Sequence, residues 1–136
     1  CDGVCGRVIR AGTLKMLGER EQAEADLRDY LKDLAATPRE ELAQARFIPF
    51  TIHAMLGDAD AAIAALQQAV EAPIPWAWWG WWGLKDGEFD PDYAAVLADP
   101  RYQAIYADMA GRMDAMRASY QANPELSEQD RREAGL

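Results

Sequence analysis

The chain repeats itself, and that repeat limits its folds more than any other feature. Residues 16–34, MLGEREQAEADLRDYLKDL, align without a gap on residues 55–73, MLGDADAAIAALQQAVEAP, 39 positions further on. Both segments open Met-Leu-Gly-acid, then place alanine at the same step (Ala23 and Ala62) and leucine four residues later (Leu27 and Leu66). Gly18 and Gly57 can take the left-handed conformation that ends one helix, and the polar residues after them let the next helix start in the reverse direction. Ala23 and Ala62 are small enough for two antiparallel helices to approach closely. Leu27, Leu31 and Leu34, or Ile63, Leu66 and Val70, supply an apolar stripe at helical spacing. Each segment thus predicts a helical hairpin, and neither buries its stripe alone, which is why such hairpins stack.

Between the two, TPREELAQARFIPFTIHAMLG starts well for a helix. Thr37 can cap, Pro38 suits the first turn, and Glu40 and Glu41 oppose the positive end of the helix dipole. Pro49 falls inside this pattern and should kink the helix or divide it in two. LGEREQAEADL and LGDADAAIAAL resemble the Leu-Gly, Ala and aromatic-or-Leu core of the tetratricopeptide repeat, over residues 8–72. Tyr30 stands where that family has a second small residue, a rule that Ala69 obeys. The offset of 39 exceeds the family's usual period, so an elongated helix or loop has to absorb the difference.

Further on, Asp90-Pro91 and Asp99-Pro100 each combine a capping carboxylate with a first-turn proline, which predicts two helix starts nine residues apart. The second helix carries Tyr102, Ile105, Tyr106, Met109, Met113 and Met116 at three- and four-residue steps. That stripe reads first as a closing helix packed on the preceding hairpin and second as an adaptable binding surface. GEFDPDYAAVLADPRYQAIYADMAGRMDAMRASY, with Trp82, Asp90-Pro91, Leu97 and Asp99-Pro100-Arg101-Tyr102 in order, resembles the closing segment of tetratricopeptide regions that follow winged-helix regulator and adenylate cyclase domains in bacteria. The resemblance implies an all-α fold, a short tetratricopeptide-like solenoid of stacked antiparallel hairpins with a closing C-terminal helix. The chain then reads as one helical-repeat domain over 1–136: a first hairpin at 8–36, a second at 38–72, a Trp-rich connector at 73–90, closing helices at 91–122 and a polar tail at 123–136. It also implies a regulatory part of a bacterial signalling protein, cytoplasmic rather than periplasmic.

All five tryptophans lie in PWAWWGWWGL, residues 75–84. In a helix Trp78, Trp81 and Trp82 share one side and Trp76 and Trp79 another, so the five cannot all face one core. Three readings stay open: rings filling space beside the closing helix, a pocket that stacks on a sugar, base or cation, and a membrane-interface anchor, which the scarcity of neighbouring Lys and Arg opposes. The candidate ligand or partner contacts are accordingly Trp76, Trp78, Trp79, Trp81, Trp82, Tyr102 and Tyr106.

Composition narrows the function. Half of the residues are hydrophobic, which argues against wholesale disorder, and the formal net charge of −9 opposes a phosphate-backbone binder or an anionic membrane surface. No run approaches the ~20 apolar residues that span a bilayer. His53 is the single histidine and reads as a packed side chain. No Gly-x-Ser-x-Gly, phosphate loop or His-Glu-x-x-His motif occurs, and the carboxylates, at helical intervals, read as a solvated face. Cys1 and Cys5 share a face if helical, yet only His53 could join them on a metal, so free thiols are expected, with a disulfide left open. Opening on Cys1 rather than Met suggests a processed chain or a piece of a larger protein, with a lipidated periplasmic start as the alternative. The expectation is therefore a non-catalytic module, with no cofactor and no metal, that docks a protein or peptide of basic character. A small-molecule sensor built on the tryptophans is the alternative. The first helix has no polar cap, and an apolar flank left open there would predict a homodimer or a missing neighbour.

Overall fold

The computed structural model describes residues 4–38, 46–71 and 90–122, the side chains of 4, 5, 120 and 121 excepted. Among the described residues there are six helices and no strand: α1 Val4–Met16, α2 Arg20–Ala36, α3 Ile48–Met55, α4 Ala59–Val70, α5 Pro91–Leu97 and α6 Pro100–Ala122. Two compact units divide the chain, Cys1–Gln103 and Ala104–Leu136.

In the first unit α1 packs on α2 and α3 on α4, and the two connecting turns match bond for bond. Gly18 and Gly57 have φ of 84° and 75°. The Gly18 amide donates to Lys15 O (3.0 Å) and the Glu19 amide to Leu14 O (2.9 Å); the Gly57 amide donates to Ala54 O and the Asp58 amide to His53 O, both 3.0 Å. This pair of bonds satisfies carbonyls that a helix end leaves open, and it needs a left-handed residue at the glycine. A Cβ at Gly18 would meet nothing within 4 Å, so there the demand for glycine is set by the backbone alone.

The starts of the second helices differ. Asp58 accepts a hydrogen bond from the Ala61 amide (3.0 Å) and caps α4. Glu19 occupies the matching position before α2 and makes no side-chain cap, its carboxylate being one methylene further from the backbone. Inside the hairpins Ala23 and Ala62 are fully buried, as are Leu27 and Leu66. Tyr30, at the position of Ala69, is also buried. The Arg7 guanidinium of α1 lies 4.3 Å from its ring centroid and pairs with Asp33. The larger residue is thus matched by a cation stacked on its face.

Pro49 sits in the first turn of α3, so the chain begins a helix where its pattern placed a break. Thr37 closes α2: its amide donates to Leu34 O (3.2 Å) and its hydroxyl to Asp33 O (2.8 Å). The helix expected from Pro38 falls on 39–45, outside the described residues. The first hairpin begins at Val4, four residues ahead of its expected boundary.

α3 is the central element of the first unit. Phe50, Ile52, Ala54 and Met55 are all fully buried, a spacing that fills more than one face and marks a helix surrounded by others. It touches α1, α2, α4 and α5. The Phe50 ring meets Tyr93 of α5 edge-on and stacks on Tyr102, the third residue of α6, with centroids 5.8 Å apart in both pairs. Both Asp-Pro steps start helices. Asp90 Oδ1 accepts from the Asp92 amide (3.0 Å) and, at 3.5 Å, from the Tyr93 amide, while Asp99 Oδ1 accepts from the Arg101 amide (2.8 Å). Along α6 burial fades from Tyr102 and Met109, both buried, through half-buried Ile105, Tyr106 and Met113 to exposed Met116.

Candidate functional site

Placement of the sequence-derived candidates comes first. Trp76, Trp78, Trp79, Trp81 and Trp82 lie outside the described residues, as does the side chain of Cys5. Tyr102 is a core residue, 3% exposed and stacked on Phe50. Tyr106, one turn later, is half-buried. His53 is half-buried near the end of α3, where its carbonyl accepts the Asp58 amide. Among the described residues no group of three His, Cys, Asp or Glu side chains could hold a metal ion.

The polar constellation that the structure does assemble centres on Lys15, at the end of α1. Its Nζ donates to Met55 O (2.6 Å), to both Asp90 oxygens (2.8 and 2.6 Å) and to Asp92 Oδ2 (2.9 Å). The Lys15 side chain is 10% exposed and that of Asp90 1%. Arg20 Nη2 reaches Asp92 Oδ2 at 2.7 Å from the solvent side, and Arg20 Nε holds Glu24 at 2.8 Å. The Asp92 carboxyl is held below its ordinary value by the Lys15 hydrogen bond first, against the opposing effect of burial, and then by the charges of Lys15 and Arg20.

Chemically this is a closed arrangement. An ammonium has three protons to donate, and here they serve a helix-terminal carbonyl and two carboxylates, while Asp90 also caps α5. Lys15 is therefore neither a free base nor an accessible nucleophile. Its work is to join the ends of α1 and α3 to the start of α5. The expectation that carboxylates form a solvated face fails at Asp90 and Asp92, because a cation from a helix 75 residues earlier neutralises them. The repeat carries a signal for this: Lys15 stands where the second hairpin has Ala54, which is fully buried. A lysine at a repeat position whose counterpart is core is a lysine with a buried partner.

Two further surface features accompany the network. At the start of α2 an open hollow is lined by Gly18, Glu19, Arg20, Glu21, Gln22, Glu24 and Ala25, three carboxylates against one guanidinium. At the start of α6 Arg101 pairs with Asp99 (2.8 Å) and with Asp60 of α4 (2.7 Å). Hydrogen bonds from Arg101 hold the Asp99 carboxyl below its ordinary value. Among the described residues no helix is long and apolar enough to cross a membrane.

No family model, no curated protein and no solved structure matches the chain. Its function has to be argued from its own residues.

Proposed function

We propose that the chain is a non-catalytic helical-repeat module of the tetratricopeptide type, stacked as a short solenoid, which docks a protein or peptide of basic character as part of a bacterial signalling protein. The observation that carries this reading is the bond-for-bond identity of the two glycine turns together with the buried Ala23 and Ala62. Duplicated hairpins of this kind present a row of helices on a rigid frame, and such frames serve as extended binding surfaces. Two further facts support it. The strongest polar cluster has every group engaged in holding helices together, and the net charge of −9, with the acid-lined hollow at α2, favours a cationic partner.

A titration of labelled peptides followed by fluorescence anisotropy tests the reading. Saturable binding of an Arg- and Lys-rich peptide is expected, weakening as added salt shortens the Debye length from roughly 10 Å towards 3 Å, with an acidic peptide of equal length unbound. Failure of every peptide, together with a saturable change in tryptophan emission on adding a sugar, an aromatic acid or a quaternary amine, would replace the docking module by a small-molecule sensor.

A further inference from the structure

The hairpins match in sequence at three more positions but not in environment. Ile9, Met16 and Leu17 of the first correspond to Ile48, Met55 and Leu56 of the second, at the same offset of 39 residues. Met55 is fully buried and Ile48 and Leu56 are half-buried, whereas Ile9, Met16 and Leu17 are 66%, 73% and 69% exposed. The same three residue types at the same repeat positions are covered in one unit and open in the other. Thr13 lies between them on the same face of α1, one turn from each. Its hydroxyl donates to Ile9 O (3.0 Å), so the face offers no polar group in search of a partner.

Charge and symmetry say what fits there. Helix α1 holds Arg7, Arg10 and Lys15 and no carboxylate. Each cation has a partner within its own chain: Arg7 with Asp33, Arg10 with Asp26 at 3.3 Å, and Lys15 with Asp90. In a chain of net charge −9 this is a surface where two copies can meet without the like-charge repulsion that opposes contact elsewhere. The stripe also reads alike in both directions, with a large apolar residue four positions before Thr13 and two others three and four positions after it. Such a stripe is self-complementary under a two-fold axis.

We propose that this face of α1 binds a second copy of the chain, with the two α1 helices antiparallel and crossing at Thr13. At a rise of ~1.5 Å per residue, Ile9 then lies about 6 Å to one side of the crossing, opposite Met16 and Leu17 of the second copy. The three side chains leave on the order of 400 Å² of apolar surface, about half of the ~800 Å² that each partner of a stable interface buries. The rest comes from Thr13 and the rims of Arg10 and Arg20, and a contact of that make-up is a modest, reversible one.

The proposal stands apart from peptide docking, and its test keeps the two distinct. Sedimentation equilibrium of the full chain from micromolar to millimolar concentration is expected to show a monomer–dimer equilibrium. The pair Ile9→Lys and Met16→Lys is expected to raise its dissociation constant roughly tenfold or more, with helical circular dichroism and peptide binding unchanged, since both side chains already face water. In a Cys1→Ser, Cys5→Ser background, Thr13→Cys is expected to form a disulfide-linked dimer on mild oxidation, and Met116→Cys, equally open but on α6, is not. A monomer at every concentration overturns the proposal and leaves the face to a separate helical hairpin of the same plan. A dimer indifferent to the lysine pair, or one linked through Met116→Cys alone, overturns it as well.

Discussion

Lys15 shows what one residue can decide in a chain of this size. An ammonium at 10% exposure against a carboxylate at 1% is stable only while both are present, because an unpaired buried charge keeps its desolvation penalty and loses its compensation. Lys15→Met is accordingly expected to destabilise the chain by about 3–5 kcal/mol in urea unfolding. Adding Asp90→Asn should recover most of that loss, since asparagine still caps α5 and the unpaired charge is gone. A double variant no more stable than Lys15→Met would show that the network works by some route other than charge pairing. None of this was legible from motif reading, in which Asp90 is fully accounted for as a helix cap and Lys15 as one more surface cation. Tyr102 makes the same point in reverse: its place in an aromatic run made it a candidate contact, whereas stacking on Phe50 makes it part of the core.

Among the elements, the hairpins were the most legible part, and the reason is local. A left-handed glycine, a small residue one turn into the next helix and a leucine a turn beyond are all fixed by neighbours within about ten residues, so the sequence alone determines their roles. The Asp-Pro starts of α5 and α6 were legible on the same ground. What set the two hairpins apart was not: Glu19 and Asp58 look interchangeable as acids after a glycine, yet only Asp58 reaches its amide. Glu19→Asp is expected to supply the missing cap of α2 and stabilise the chain by about 0.5–1 kcal/mol, read as a higher urea midpoint at unchanged slope. No gain would mean that Arg20, or the backbone at residue 19, holds the turn in a geometry that a shorter carboxylate cannot use.

For the molecule as a whole, charge governs the response to acid. Glu24, Asp29, Asp92 and Asp99 are all held below their ordinary values by donated hydrogen bonds. A carboxylate whose folded value is depressed adds stability above its unfolded value of ~4 and loses it as pH falls through the folded one. Asp92, the least exposed to screening of the four, carries most of the effect. Stability is therefore expected to be level from neutral pH down to about 5 and to fall steeply below 4, and Asp92→Asn should flatten that fall in pH-dependent urea midpoints. A profile unchanged by Asp92→Asn would move the acid sensitivity to the other carboxylates. The Lys15 tie has one more consequence, which belongs to time rather than to stability. Each hairpin closes over a short span and can form early, but the ammonium and its carboxylate are 75 residues apart, and a contact of that separation forms late because a long loop has to close first. An interaction absent from the transition state sets the rate of escape from the native state and leaves the rate of entry alone. Lys15 and Asp90 act, in those terms, as a latch: the chain folds without waiting for them, and once they meet they determine how long it stays folded.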